Sequence, residues 1–192
     1  APGQVMKSSH DPYYNVCRGT DPECLAQNNG WAEPAASART RVLIYSRTAG
    51  PRHANLGTAL GTGLNPPLNA NNVMQASLIA WLAEEGITAD WTEDPARFSP
   101  NNYAAVILAS SNRDTLWNAT DASPSTPMTN LRQYMRRGGG VVAIHNAFGG
   151  MYNWPYYEGL LGNANFFNHG PNRNGNVIRI NLGQGDKQDN EE

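Results

Sequence analysis

The chain has 192 residues, 40% of them apolar and 16% charged, with a formal net charge of −2. That length buries roughly 70% of the unfolded surface, enough for one domain with a real core. The charge balance leaves no footprint for nucleic acid or anionic lipid, and no apolar run approaches the ~20 residues of a membrane span.

Residues 1–40 carry Pro2, Gly3, Pro12, Gly19, Pro22, Gly30 and Pro34 and show no periodicity. They read as an irregular arm, docked on the body through Trp31, Tyr13 and Tyr14. Cys17 and Cys24 suit one small disulfide loop if the protein is exported, and two free thiols otherwise. The chain opens Ala1-Pro-Gly rather than on Met, as a processed form would. A secreted or periplasmic location is therefore expected.

Residues 41–46, Arg-Val-Leu-Ile-Tyr-Ser, form the first predicted strand. The loop after it contains Gly57, Gly61, Gly63, Pro66 and Pro67, without phosphate-loop or dinucleotide spacing. Asn71 or Asn72 can cap a helix that starts near Val73, with Val73, Met74, Leu78, Ile79, Trp81 and Leu82 as its apolar stripe and Gly86 as its stop. Residues 87–92 alternate as a second strand ending at Glu93-Asp94-Pro95. Residues 104–109 are apolar throughout, a third and central strand, followed by the polar turn Ser110-Ser-Asn-Arg-Asp114.

Ser125 or Thr126 caps the next helix, with Pro127 at its first position. Met128, Leu131, Tyr134 and Met135 form its buried stripe, while Arg132, Arg136 and Arg137 face solvent. Gly138-Gly-Gly140 ends it. Residues 141–144 form a fourth strand, expected to be buried on both faces because every residue is apolar. His145 and Asn146 follow at once. Residues 148–172 are rich in aromatics and Asn, with a short helix over 156–161; residues 176–182 alternate as a last strand, and 183–192 form an acidic tail. The order strand, helix, strand, strand, helix, strand predicts an α/β three-layer sandwich with a mostly parallel central sheet, occupying residues 41–182.

In such sheets ligands bind at the carboxyl ends of the strands. One edge therefore collects Thr48, Arg52 and His53; Glu93 and Asp94; Ser110 to Asn112; and His145 and Asn146, with His169 in a loop beyond. Histidine suits general acid–base work because its ordinary pKa is about 6.5. Each residue also has a plainer reading. His145 can be a buried histidine bonded to backbone, His53 a solvated turn residue, His169 a loop cap, and Arg52 the ion-pair partner of Glu93 or Asp94. Trp154, Tyr156 and Tyr157 are either core or a platform for a sugar ring. The sequence requires no cofactor. A divalent metal on three histidines is an alternative, although no tight ligand spacing is present. A GxSxG elbow is absent, and neither cysteine lies near a strand end.

Several stretches, taken together, resemble the ThuA-like (trehalose utilisation) family, whose fold is similar to that of class I glutamine amidotransferases. They are Val42-Leu-Ile-Tyr-Ser-Arg-Thr-Ala-Gly-Pro-Arg-His53, Thr92-Glu-Asp94, Leu131-Arg-Gln-Tyr-Met-Arg-Arg-Gly-Gly-Gly-Val-Val-Ala-Ile-His145, Asn153-Trp-Pro-Tyr-Tyr157, Leu161-Gly162 and Phe167-Asn-His169. The chain departs from the family pattern at Pro51, Asn146 and Gly170. Family domains also run beyond the strand near Val177, so the resemblance implies a missing C-terminal segment or one supplied by a second chain. It places His145 where an amidotransferase carries its elbow cysteine, which implies loss of glutamine hydrolysis. It implies a small-molecule carbohydrate as partner, a glycoside or keto-sugar of trehalose-type catabolism.

The expected activity is therefore sugar isomerase, lyase or glycoside-processing chemistry, with His145 as acid or base assisted by His53 and His169. Thr48, Arg52, Glu93, Asp94 and Asn146 would contact hydroxyls, and Trp154 or Tyr157 would stack on the ring. A non-catalytic sugar-binding module and a metal-dependent hydrolase are the rivals. Hydrolysis by two carboxylates needs a pair flanking one bond. Glu93 and Asp94 are adjacent on a strand and point to opposite faces.

Overall fold

The computed structural model describes residues 10–11, 16–17, 24, 40–121, 125–136 and 139–162. Two short strands, β1 (His10–Asp11) and β2 (Val16–Cys17), pair antiparallel. The main sheet contains β3 (Arg41–Tyr45), β4 (Thr88–Thr92), β5 (Ala105–Ala109) and β6 (Gly140–Ile144). All four run parallel, in the order β4-β3-β5-β6. Helix α1 (Val73–Glu84) connects β3 to β4, α2 (Thr126–Arg136) connects β5 to β6, and α3 (Pro155–Leu160) follows β6. This is the α/β three-layer arrangement the sequence predicts. The expected last strand at 176–182 lies outside the described residues.

The period-2 alternation of the strands divides the core between two faces. Val42 and Ile44 of β3 with Ile107 and Ala109 of β5 meet Met74, Leu78, Ile79 and Leu82 of α1. Leu43, Tyr45, Val106 and Leu108 meet Met128, Leu131 and Tyr134 of α2 and Trp154 and Tyr157 around α3. Each fully buried Leu or Ile contributes about 1.5–3 kcal/mol, so this double-sided burial fixes β3 and β5 as the rigid centre.

Three expectations need correction. β6 is not buried on both faces: it is an edge of the described sheet, and Val142 is 49% exposed. Its apolar run reads as central, yet α1 packs toward β4, at the opposite edge. On α1, Val73 and Trp81 are exposed, and the inward face is Met74, Gln75, Leu78, Ile79 and Leu82. The buried amide of Gln75 rotates the helix away from the purely apolar stripe. Arg132 does not simply face solvent, because its guanidinium lies over the Tyr156 ring at 4.3 Å.

The glycines ahead of β6 have a local cause. A Cβ at Gly139 would collide with the Tyr134 ring. The Tyr134 hydroxyl donates to the Gly140 carbonyl at 3.0 Å. The junction from α2 to β6 thus closes on a tyrosine that only glycine can accommodate.

Candidate functional site

The loops after β3, β4, β5 and β6 share the carboxyl edge of the sheet. After β3 and β4 this edge is a polar clamp. Arg52 donates from Nη2 to Glu93 Oε1 at 2.8 Å, and from Nε and Nη2 to the carbonyls of Gly57 (2.6 Å), Leu56 (2.9 Å) and Thr58 (3.1 Å). It also reaches Thr48 Oγ1 at 3.4 Å. Glu93 accepts in addition from Ser46 Oγ (2.8 Å) and the Leu60 amide (3.1 Å). The two side chains are 18% and 8% exposed. Asp94 accepts from the amides of Gly63 and Ala96, each at 2.9 Å. The polar atoms of Arg52, Glu93 and Asp94 are therefore taken up by loop backbone and by one another, not turned toward a sugar as expected.

Two further side chains complete this clamp: Gln75, which sequence reasoning did not single out, and Asn72, which it named as a cap of α1. Gln75 donates to Ser46 Oγ and to the Leu56 carbonyl, both at 3.2 Å. Asn72 occupies the expected N-cap position of α1, and its carbonyl accepts from the Ala76 amide at 3.0 Å, but its side chain makes no capping hydrogen bond. Its Nδ2 donates to the carbonyls of Leu56 (2.6 Å) and Thr58 (2.7 Å), and its Oδ1 accepts from the Asn69 amide. The available signal was a glutamine on the otherwise apolar face of α1.

After β5 and β6 the edge is different. Ala109 and Ile144 are the last paired residues, so Ser110 and His145 come next, side by side. Both are in the left-handed region, with φ of 55° and 50°. Left-handed backbone costs a non-glycine residue on the order of 1–2 kcal/mol and is concentrated at functional sites. His145 opens the 3-10 turn His145–Gly149. Its ring is exposed, whereas Ser110 is buried behind it. Ser110 Oγ lies 3.5 Å from His145 Nδ1. The result is a sharp strand–elbow–turn that pushes one imidazole out of the sheet edge.

His53 joins this imidazole. The two ring centroids are 4.5 Å apart with planes at 59°. The approach is enforced along the loop: Asn112 Nδ2 donates to the Pro51 carbonyl (2.6 Å), the Ala49 amide donates to the Asn112 carbonyl (3.2 Å), and the Arg52 clamp holds the next residue. Thr48 forms a parallel bridge with Asn112. Asn146 is half-buried in the first turn after His145. Behind the pair, Ser111 Oγ and Asn112 Oδ1 are buried with no hydrogen-bond partner among the described residues. Buried polar atoms of that kind mark a place for ordered water or for strain.

The aromatic motif sits elsewhere than expected. Trp154 and Tyr157 are buried in the α2/α3 core and have no ring face open for a sugar. Their rings stack at 6.3 Å and 16°, and the Tyr157 hydroxyl donates to the Ala147 carbonyl at 2.9 Å. They form the floor under the turn that carries His145. Burial pushes the Tyr157 hydroxyl well above its ordinary pKa.

His169 lies outside the described residues. Among the described residues no three His, Cys, Asp or Glu side chains converge as metal ligands. Cys24 is buried, and the side chain of Cys17 lies outside the description. No described helix is long and apolar enough to cross a membrane. In comparison with known proteins, the family model ThuA, described as trehalose utilisation, matches residues 41–185. No curated protein and no solved structure gives a significant match.

Proposed function

From the premise that the chain belongs to the ThuA family of trehalose utilisation, we propose that it processes a glycoside or keto-sugar of the trehalose type by histidine acid–base chemistry. The observation that carries this reading is the contact of the His53 and His145 rings at 4.5 Å on the carboxyl edge of the sheet. Two imidazoles that close can exchange the roles of proton acceptor and donor across one substrate carbon–oxygen unit. Glu93 and Asp94 are engaged by protein groups, so they offer no pair of carboxylates for glycosidase chemistry.

In the proposed reaction the C–H bond beside a sugar carbonyl breaks. Its proton passes to an imidazole nitrogen and its electron pair to the carbonyl oxygen. Isomerisation or elimination then follows from the enolate. Thr48 and Asn146, at the margins of the pair, are proposed to contact hydroxyls. His169 would complete the set from beyond the described residues. The test is to incubate the protein with the keto form of trehalose, and with trehalose itself as the control that lacks a carbonyl, and to follow products by NMR. Conversion of the keto form, lost in His145→Asn and His53→Ala, is expected. Equal conversion by all three proteins would overturn the reading.

A divalent metal is a second reading, favoured by the same paired rings, with His169 as third ligand. Metal analysis of the purified protein together with activity in chelator separates the two. The arm adds a proposal about setting: a Cys17–Cys24 bridge in a secreted or periplasmic protein. Thiol titration of the denatured chain should then find no free thiol before reduction and two after it.

A further inference from the structure

We propose that Ser110 is a positioning residue that fixes the tautomer of His145 and thereby divides the work between the two histidines. This deepens the acid–base reading above and rests on it for its catalytic consequence. The Ser110 hydroxyl is buried, and its one side-chain partner among the described residues is His145 Nδ1, at 3.5 Å. Catalytic hydrogen bonds are often this long before substrate binds. A buried O–H without an acceptor costs free energy. The hydroxyl therefore donates to Nδ1, which then carries the lone pair. In neutral His145 the proton is left on Nε2, the nitrogen on the far side of the ring from Ser110.

The backbone supports this arrangement. Ser110 and His145 follow the last paired residues of adjacent strands, and both have left-handed φ. The Ser110 amide donates to the Ile144 carbonyl at 3.2 Å, tying the two elbows together. The serine is thus held against one edge of the ring by the sheet itself.

A neutral imidazole with its outer nitrogen protonated is a hydrogen-bond donor, not a base. His145 then donates from Nε2–H to the substrate oxygen on which negative charge grows, an oxyanion-type role. The proton removed beside the carbonyl goes to His53, and the electron pair goes to that oxygen. His145 is the donor and His53 the base.

The test is imidazole ¹⁵N NMR of the full chain, with the His145 signals identified by their loss in His145→Asn. Above the imidazole titration, wild-type His145 should show Nδ1 at the limiting pyridine-type position and Nε2 at the limiting pyrrole-type position. In Ser110→Ala the two signals should move toward each other as the second tautomer appears, and kcat should fall roughly tenfold or more with KM little changed. Ser110→Gly gives the same spectral result on a backbone that suits φ 55°, and it is read instead if the alanine variant does not fold. A wild-type ring protonated on Nδ1, or limiting shifts that survive loss of the hydroxyl, would overturn the proposal. The spectrum requires no substrate, so a failed carbohydrate assay and a failed tautomer lock are distinguishable.

Discussion

Replacing Arg52 with alanine should loosen the loop over residues 56–60 and lower global stability, with no loss that is confined to ligand affinity. The guanidinium donates to Glu93 Oε1 and to three consecutive carbonyls, 56 to 58, at 2.6–3.1 Å. Breaking a buried pair by removing one partner costs about 3–5 kcal/mol. Two facts place Arg52 at the lower end. Glu93 keeps Ser46 Oγ and the Leu60 amide, and the carbonyls of Leu56 and Thr58 keep Asn72 Nδ2. A loss of about 3 kcal/mol follows, which in a chain of this size lowers Tm by roughly 6–12 °C. Arg52→Lys should recover little, because an ammonium cannot span three carbonyls and a carboxylate in one plane. The assay is thermal melting by circular dichroism, with carbohydrate binding measured by calorimetry on the same samples. An Arg52→Ala protein that melts within about 1 °C of wild type but loses sugar affinity would refute the clamp and restore Arg52 as a ligand contact.

Tyr157→Phe should cost about 1–3 kcal/mol, because the buried Ala147 carbonyl loses its donor at 2.9 Å; a Tm equal to wild type would show that the turn under His145 does not depend on it. Burial pushes Tyr134 up to about 12, and burial together with Asp90 does the same for Tyr103, while Tyr45 and Tyr157 are raised further. These tyrosines bind their protons more tightly folded than unfolded, so the stability they contribute is present below pH 10 and is lost as pH rises, by about pH 12 for Tyr134 and Tyr103 and higher still for Tyr45 and Tyr157. Tyrosinate absorbance should accordingly appear together with unfolding; four tyrosines ionising near pH 10 in folded protein would contradict this. For Asp90, burial alone would raise the carboxyl, but hydrogen bonds from Asn65, Tyr103 and Arg41 and the charge of Arg41 bring it below its ordinary value. Its contribution is present above about pH 4 and lost as pH falls further, so Asp90→Asn should flatten the acid limb of a plot of Tm against pH.

The sheet was legible in the sequence because its four strands are short β-branched runs, each closed by a polar or glycine signal. The order of the polar edge groups was legible too, since parallel strands place all their carboxyl ends on one side. What an apolar run cannot say is whether both of its faces are covered, and Val142 at the edge of the described sheet is the case in point. Hydrogen-bond assignments were equally hidden. Arg52, Glu93 and Asp94 look like ligand groups in a list of polar residues, but the long loop over residues 46–72 has many carbonyls and amides to satisfy, and these side chains satisfy them. Trp154 and Tyr157 read as a sugar platform through composition alone; their burial follows from α3 folding back beneath the 3-10 turn after β6. The left-handed φ of Ser110 and His145 had no sequence signal, since neither is glycine or asparagine.

The most direct test of the paired-histidine chemistry is hydrogen exchange at the carbon beside the carbonyl of the keto-sugar in deuterated water, followed by NMR. Wild-type protein should introduce deuterium at that carbon. His53→Ala, and His145→Asn, in which asparagine tolerates the left-handed φ, should bind the sugar yet exchange at least ~100-fold more slowly. Exchange at the wild-type rate in either variant, or turnover of the sugar by wild type without any exchange, would contradict the account.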